Sequence, residues 1–414
     1  MPPHTTRRFA GPALVCLLLV HAACGAPAGP SQPPPPPPPP PPPAAPASLT
    51  AVAGMGQAAP AGTALGSPVT VVVADRDGQL LGGRPVQFTV TSGGGWTVDE
   101  QVVTQSDGRA TTIWYLGPSP GATQQLQATV GTLSALVSAT ATSLVSGTTY
   151  LGHLGFIEFI AGDGSVVLSA AHGGSLTPPE IPDRTVGTTV TDANTDPLAR
   201  AMATALHTET GERPHLVIVR LRRTKLDANR EVIEAAQGNP LAVRAWREYH
   251  GFIEAAKVAA AAAGPRPFYL DIHGHGHAIQ RLELGYLLAA NDFSKPDAEL
   301  NSGPYASQSS IRSLATASST PFAELLRGPT SLGGRFATEG YPSVPSPAIP
   351  SPGADPYFNG GYSTARHGSR SGGPVNGVQL EANFTGVRDT DANRQLFAAA
   401  AARVIAGFLA GGQQ

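Results

Sequence analysis

From Ser48 to about Thr142 apolar and polar residues alternate with a period of two. Val69-Thr70-Val71-Val72-Val73-Ala74, Val86-Gln87-Phe88-Thr89-Val90 and Leu126-Gln127-Ala128-Thr129-Val130 each place apolar side chains on one face of an extended chain. Asp77-Gly78, Gly93-Gly94-Gly95 and Asp107-Gly108 separate such runs as turns. Short strands at this spacing predict an all-β sandwich over residues 48–143. Beyond about residue 150 the pattern changes. Val166-Val167-Leu168-Ser169, His215-Leu216-Val217-Ile218-Val219, Phe268-Tyr269-Leu270-Asp271-Ile272 and Gly377-Val378-Gln379-Leu380-Glu381 are short apolar runs that end in or lead to polar residues. Between them, helical periodicity runs through residues 197–208, 241–263 and 392–409. This alternation predicts an α/β domain over 150–414, with a mixed central sheet, helices on both faces and ligands at the carboxyl ends of the strands. Residues 292–356 are rich in Ser, Pro and Gly, which predicts a long loop or lid.

The first 47 residues belong to neither pattern. Arg7 and Arg8 precede an apolar stretch from Ala13 to Val20, followed by Ala22 and Ala23 before Cys24. This is the grammar of an export signal over 1–24, too short in its apolar part to span a bilayer. His21-Ala22-Ala23-Cys24-Gly25 resembles a bacterial lipobox, which leaves two outcomes open: a lipid anchor on Cys24, or cleavage and release. A linker over 25–47 contains the unbroken run Pro33–Pro43, which can only be polyproline II, a stiff spacer of roughly 30 Å. Both cysteines, Cys16 and Cys24, precede the globular part, which therefore has no disulfide to form. The formal net charge of −2 supplies no footprint for nucleic acid. The expected location is the cell envelope or the exterior, and no obligate protein partner is implied.

Candidate chemistry sits at the strand ends. His172 follows one strand in Ala171-His172-Gly173-Gly174, and His273 follows another in Asp271-Ile272-His273-Gly274-His275. Two imidazoles at two strand ends, each followed by glycine, can converge, and zinc takes such nitrogens together with a carboxylate. Glu180, eight residues past His172, is the expected third ligand, with Asp192 as the alternative. Asp271 lies two residues before His273, so an extended chain points both to one side, where the carboxylate can orient the histidine or hold a catalytic water. His275 and His277 are expected to be pocket or solvated residues. Glu381 ends its strand at the same sheet edge, where a carboxylate can serve as general base. Arg230 in Asp227-Ala228-Asn229-Arg230 and Arg366 in Tyr362-Ser363-Thr364-Ala365-Arg366 are loop cations able to clamp a carboxylate bidentately.

Two resemblances emerge from these residues. Asp77-Gly78 through Gly83-Arg84-Pro85-Val86-Gln87-Phe88, then Asp107-Gly108-Arg109-Ala110 and Trp114-Tyr115-Leu116-Gly117, make the sandwich similar to bacterial Ig-like domains of the invasin type. Such domains act mostly as spacers. The order His172-Gly173-Gly174, Asp227-Ala228-Asn229-Arg230, Asp271-Ile272-His273, Gly360-Gly361-Tyr362 and Gln379-Leu380-Glu381 resembles the N-formylglutamate amidohydrolases, relatives of zinc carboxypeptidases and zinc-dependent cell-wall amidases. That resemblance implies a zinc-peptidase-like fold and attack on an amide carbonyl by zinc-bound water. It implies His172, His273 and Glu180 as zinc ligands and Glu381 as general base. Asn229 and Arg230 would hold a substrate carboxylate, with Arg366 assisting. The expected activity is an exported zinc-dependent hydrolase acting on a small carboxylate-bearing amide: an N-formyl amino acid, a peptide or a peptidoglycan-derived fragment. The alternative is a non-catalytic surface adhesion or binding protein with a hydrolase-like domain.

Overall fold

The computed structural model describes residues 44–411, together with Gly25 and Gly29. The export segment, Cys24 and the proline run lie outside the described residues.

In the β-rich part, a three-stranded sheet (Ser48–Ala53, Val69–Ala74, Arg109–Thr112) faces a five-stranded one that includes Pro85–Ser92, Thr123–Val130 and Leu133–Thr142. The inward residues of the alternating runs, Val69, Val71, Val73, Val86, Phe88, Leu126 and Val137, meet in one core around the fully buried Trp114. At roughly 2 kcal/mol for each large apolar side chain taken from water, this shared face holds the two sheets together.

The second part is built on an eight-stranded sheet: β1 (Thr149–Leu151), β2 (Ile157–Ile160), β3 (Val166–Ala170), β4 (His215–Val219), β5 (Phe268–Gly274), β6 (Leu282–Gly285), β7 (Ser343–Val344) and β8 (Asn376–Ala382). The spatial order is β1-β2-β4-β3-β5-β8-β6-β7. The four central strands β4, β3, β5 and β8 are parallel; β2 and β6 run antiparallel to them. Period-two geometry divides each central strand between the two faces. Leu168, Leu216, Leu270 and Leu380 pack beneath α1 (Thr195–Thr210) and α4 (Asp391–Ala410), whereas Val167, Val217 and Tyr269 pack against α2 (Pro240–Ala263). Asn239 caps α2, its side chain accepting the Ala242 N–H at 3.0 Å with Pro240 in the first turn. Among the described residues no helix is long and apolar enough to cross a membrane.

Residues 292–356 are not an open loop or lid. They form five short helices between Asp297 and Thr338 and then strand β7 at the sheet edge. Phe293, Leu300, Ile311, Phe322, Leu326, Leu332 and Phe336 join the core on the α1–α4 side. Serines and glycines dilute the composition there, but Phe322 with Leu326, and Leu332 with Phe336, keep the four-residue spacing of one helical face.

One buried histidine ties stability to pH. On β4, His215 is fully buried and its Nδ1 accepts the Gly162 N–H at 3.0 Å. Burial holds its pKa down at about 4, against Asp163. The unfolded chain takes up this proton near pH 6.5, so stability should fall as pH drops from about 6.5 to about 4, by up to about 3 kcal/mol. Urea unfolding at pH 7 and 4.5 checks this: His215→Asn, which keeps an acceptor for Gly162, should show a flatter pH dependence. An unchanged slope in the variant would rule His215 out as the origin.

Candidate metal centre and its cavity

The polar ends of β3, β5 and β8 lie side by side at the carboxyl edge of the sheet, on the face that carries α2. Across the parallel register Ser169 pairs with Asp271 and Asp271 with Gln379, and His273 pairs with Glu381. Period two then places Ser169, Asp271, His273, Gln379 and Glu381 on one face, and His172 follows just past the end of β3. The loop after β4 adds Arg223, Asp227, Asn229 and Arg230.

The two imidazoles meet through like atoms. His172 Nδ1 and His273 Nδ1 are 3.1 Å apart, and Asp192 Oδ2 lies 3.3 Å from each. The other ring nitrogens are engaged: His172 Nε2 with Asp227 Oδ1 at 2.6 Å, and His273 Nε2 with Asp271 Oδ2 at 2.9 Å. A carboxylate accepts only, so each Nε2 carries the proton and each Nδ1 presents a lone pair. Three acceptors thus converge on one point, all three residues being buried. A single proton relieves one of the contacts, whereas a cation between the atoms satisfies all three. Ligands about 2.0–2.1 Å from tetrahedral zinc are about 3.3 Å from each other, so the spacing fits that ion. A carboxylate behind each histidine is the usual support for such ligands.

Asp192, not Glu180, completes the triangle. Glu180 is exposed and its backbone carbonyl accepts from Asn239, whereas the Asp192 N–H donates to the His172 carbonyl at 3.2 Å and so holds the two residues together. The loop Leu176–Ile181 is drawn toward Arg222 and α2, which carries Glu180 away from the histidines. Asp192 is tied from its far side by Arg223, which donates to its Oδ1 at 3.2 Å and to Asp227 Oδ2 at 3.0 Å. Asp271 also accepts from Ser169 at 2.8 Å and touches the site through His273, as a positioning residue.

A cavity of about 190 Å³ opens beside the triangle, lined among others by Asn229, Arg230, Phe358, Gly361 and Glu381. None of the residues lining it comes from 292–356. Glu381 is buried in the cavity wall; burial, with Asp192 and Glu283 nearby, pushes its pKa up to about 7 against the pull of His273. Gln379 donates to its Oε1 at 2.8 Å. The Arg230 guanidinium is half-buried at the rim, 3.3 Å from Glu234. Asn229 accepts the Ser363 N–H at 2.8 Å and lies 3.4 Å from His273 Nε2. Gly361 closes over it so tightly that a Cβ there would lie 2.3 Å from the Asn229 amide nitrogen.

Arg366 does not reach this cavity. It is exposed, lies 5.3 Å from the Trp246 ring and donates to the Tyr362 hydroxyl at 3.0 Å. Helix α3 (Tyr362–His367) begins at the cavity rim and carries residue 366 a turn away from it. His275 and His277 form a separate group with Glu283. There both His275 nitrogens are used, by the His277 N–H at 3.1 Å and the Arg281 carbonyl at 2.8 Å. Arg223 is the functional neighbour that sequence reasoning missed; its only signal was its place four residues before Asp227.

No family model and no curated protein matches the chain. Among solved structures, the gene product Atu2144 from Agrobacterium tumefaciens is 14% identical, with a TM-score of 0.39, over 62% of this chain and 96% of that one. The D00-D0 domain of intimin is 24% identical, with a TM-score of 0.20, over 24% of this chain and 47% of that one. Domains 4 and 5 of the S-layer protein SbsC are 14% identical, with a TM-score of 0.20, over 24% and 53%. The chain thus spans about half the length of the intimin structure it matches. With TM-scores below 0.5, these likenesses assign the chain no family, and its function has to be argued from the site itself.

Proposed function

We propose that this protein is an exported zinc-dependent hydrolase that cleaves an amide bond in a small substrate bearing a carboxylate. The observation that carries the proposal is the triangle of His172 Nδ1, His273 Nδ1 and Asp192 Oδ2, three buried acceptors 3.1–3.3 Å apart that one cation would satisfy together. Zinc held there would supply a Lewis acid for a carbonyl oxygen and lower the pKa of water. The chain supplies the rest. Asp227 and Asp271 hold the two imidazoles in the tautomer that points Nδ1 inward. Glu381, at the cavity wall with a pKa near neutrality, takes a proton from water and returns it to the departing amine. Arg230 at the rim offers its fork to the substrate carboxylate, and Asn229 closes the wall beside it. A cavity of this size suits an amino-acid-sized group.

The export grammar of the first 24 residues supports a reaction outside the cytoplasm, with anchoring through Cys24 or release as its two forms. The decisive experiment compares chelated and zinc-reloaded full-length protein on three substrate classes: N-formyl amino acids, peptides with free C-termini and peptidoglycan fragments. Zinc-dependent release of an amine from one class is the expected result. Protein that binds no stoichiometric zinc and hydrolyses none of them would point instead to a surface binding protein.

Arg230 has a separable prediction. Arg230→Ala should raise KM about tenfold or more for the carboxylate-bearing substrate and leave kcat within a few-fold, because the contact is made equally before and during reaction. Steady-state kinetics on the substrate and on its carboxamide analogue tests this, since the analogue should not distinguish variant from wild type.

A further inference from the structure

A second cavity, of about 380 Å³, lies where the sandwich meets the α/β domain. It is larger than the cavity beside the histidines and shares no lining residue with it. Trp96 and the loop glycines Gly94, Gly95 and Gly117 form one wall, and Trp246, Arg247, Glu254 and Arg366 form the other. The junction around it is firmly made. The Tyr115 hydroxyl donates to Glu248 on α2, Arg244 donates to the same hydroxyl at 2.8 Å, and Ala255 of α2 is part of the sandwich core.

Both arginines are laid on tryptophans. The Arg247 guanidinium is 5.3 Å from the Trp96 ring, which itself stacks on Tyr115 at 4.1 Å and 5°. The Arg366 guanidinium is 5.3 Å from the Trp246 ring. An aromatic shelf restricts a guanidinium's plane while its N–H edge stays open for two parallel bonds to an anion. The protein acceptors these forks meet are weak. Arg247 reaches the Thr97 carbonyl and the exposed Glu100 only at 3.4 Å, and Arg366 donates to the neutral Tyr362 hydroxyl. Glu254, the carboxylate in the wall, is already paired with Lys257 at 3.1 Å and His367 at 2.9 Å. The cleft therefore presents cationic forks with little anionic charge to answer them.

We propose that this interdomain cleft is a second ligand site, one that takes a carboxylate through Arg247 and Arg366, independently of the reaction at the metal centre. Its wall also touches the loop that carries Asn229 and Arg230: Trp246 Nε1 donates to the Arg230 carbonyl at 2.9 Å, and His250 Nε2 lies 3.1 Å from the Ala228 carbonyl. Two of the chain's three tryptophans line the cleft, and the third, Trp114, is buried in the sandwich core. Tryptophan emission therefore reports on the cleft directly.

The test is a fluorescence titration of full-length, metal-stripped protein. The probes are acetyl-triglycine with its carboxamide, and galacturonate with galactose. A saturable change with at least one acid and none with its neutral counterpart is expected; the tighter acid tells a peptide end from an acidic sugar. Arg247→Ala combined with Arg366→Ala should weaken that binding at least tenfold, whereas Arg230→Ala should leave it unchanged. Should the double variant fail to fold, Arg247→Gln and Arg366→Gln tested singly make the same comparison. Equal responses to acid and neutral probes, no saturable response to either acid, or a response that survives loss of both arginines but not of Arg230 would overturn the proposal. Because zinc is absent throughout, the outcome is separate from that of the metal-centre reading.

Discussion

Replacing His273 by alanine is expected to abolish stoichiometric zinc binding and to lower hydrolysis by at least about a thousandfold, with the rest of the fold retained. The ion would lose one of its three protein atoms, and Asp271 would lose the imidazole that donates to it at 2.9 Å. Asp271 is wholly buried, and the His273 imidazole together with Ser169 outweighs burial to hold its carboxyl below the ordinary value. Leaving a buried carboxylate without one of its donors costs on the order of 1–3 kcal/mol or more, so the variant should also melt earlier. His273→Gln keeps a polar group against Asp271 and separates the two effects: it should recover much of the lost stability but not the zinc. In the wild type, zinc at about 1,000 times its dissociation constant should stabilise the fold by about 4 kcal/mol, visible as a rise in melting temperature. Elemental analysis and thermal melts measure both outcomes. Full zinc retention in His273→Ala would remove the metal centre as drawn.

The second large effect is at Glu381. Glu381→Gln should leave zinc content at the wild-type level and reduce kcat by roughly a hundred- to ten-thousandfold, the span of a lost general base. Gln379 already donates to the Glu381 Oε1, so an amide can take the carboxylate's place with its oxygen in the same contact. The pH profile carries independent information. A base works when ionised, and burial pushes this carboxyl up to about 7, so wild-type activity should fall as pH drops below neutrality. A bound cation would add to the attraction of His273, which moves that acid limb to 7 or lower and never higher. Full zinc occupancy with unchanged turnover in the glutamine variant would assign proton transfer to another group.

Much of the frame was legible because strand and helix periods are local. Val69–Ala74 and His215–Val219 are strands with the limits the alternating and continuous apolar runs suggest, and α2 extends the periodic stretch from 241 by one residue to Pro240. The insertion was misjudged for the complementary reason. Its helices have only four to seven residues, so Ser, Pro and Gly dominate its composition while a few apolar side chains decide its packing.

At the site the division follows the same physics. His172, His273, Asp271 and Glu381 stand on or directly after strands, so the sequence by itself placed them at strand ends and pointed Asp271 and His273 to one side, whereas the pairing of His273 with Glu381 came from the register of the sheet. The third member of the triangle depended on the path of a loop. Glu180 and Asp192 lie in the same segment, and only the backbone bond from Asp192 to His172, with Arg223 behind it, chose between them. Arg366 was misplaced because the turn of α3 carries it onto Trp246, a direction that no spacing to Gly360-Gly361 encodes. The alternation of side chains along each strand was written in local periodicity; strand order, loop partners and the cleft between the domains arose from contacts between separate segments, 133 positions apart for Tyr115 and Glu248, which only the tertiary structure decided.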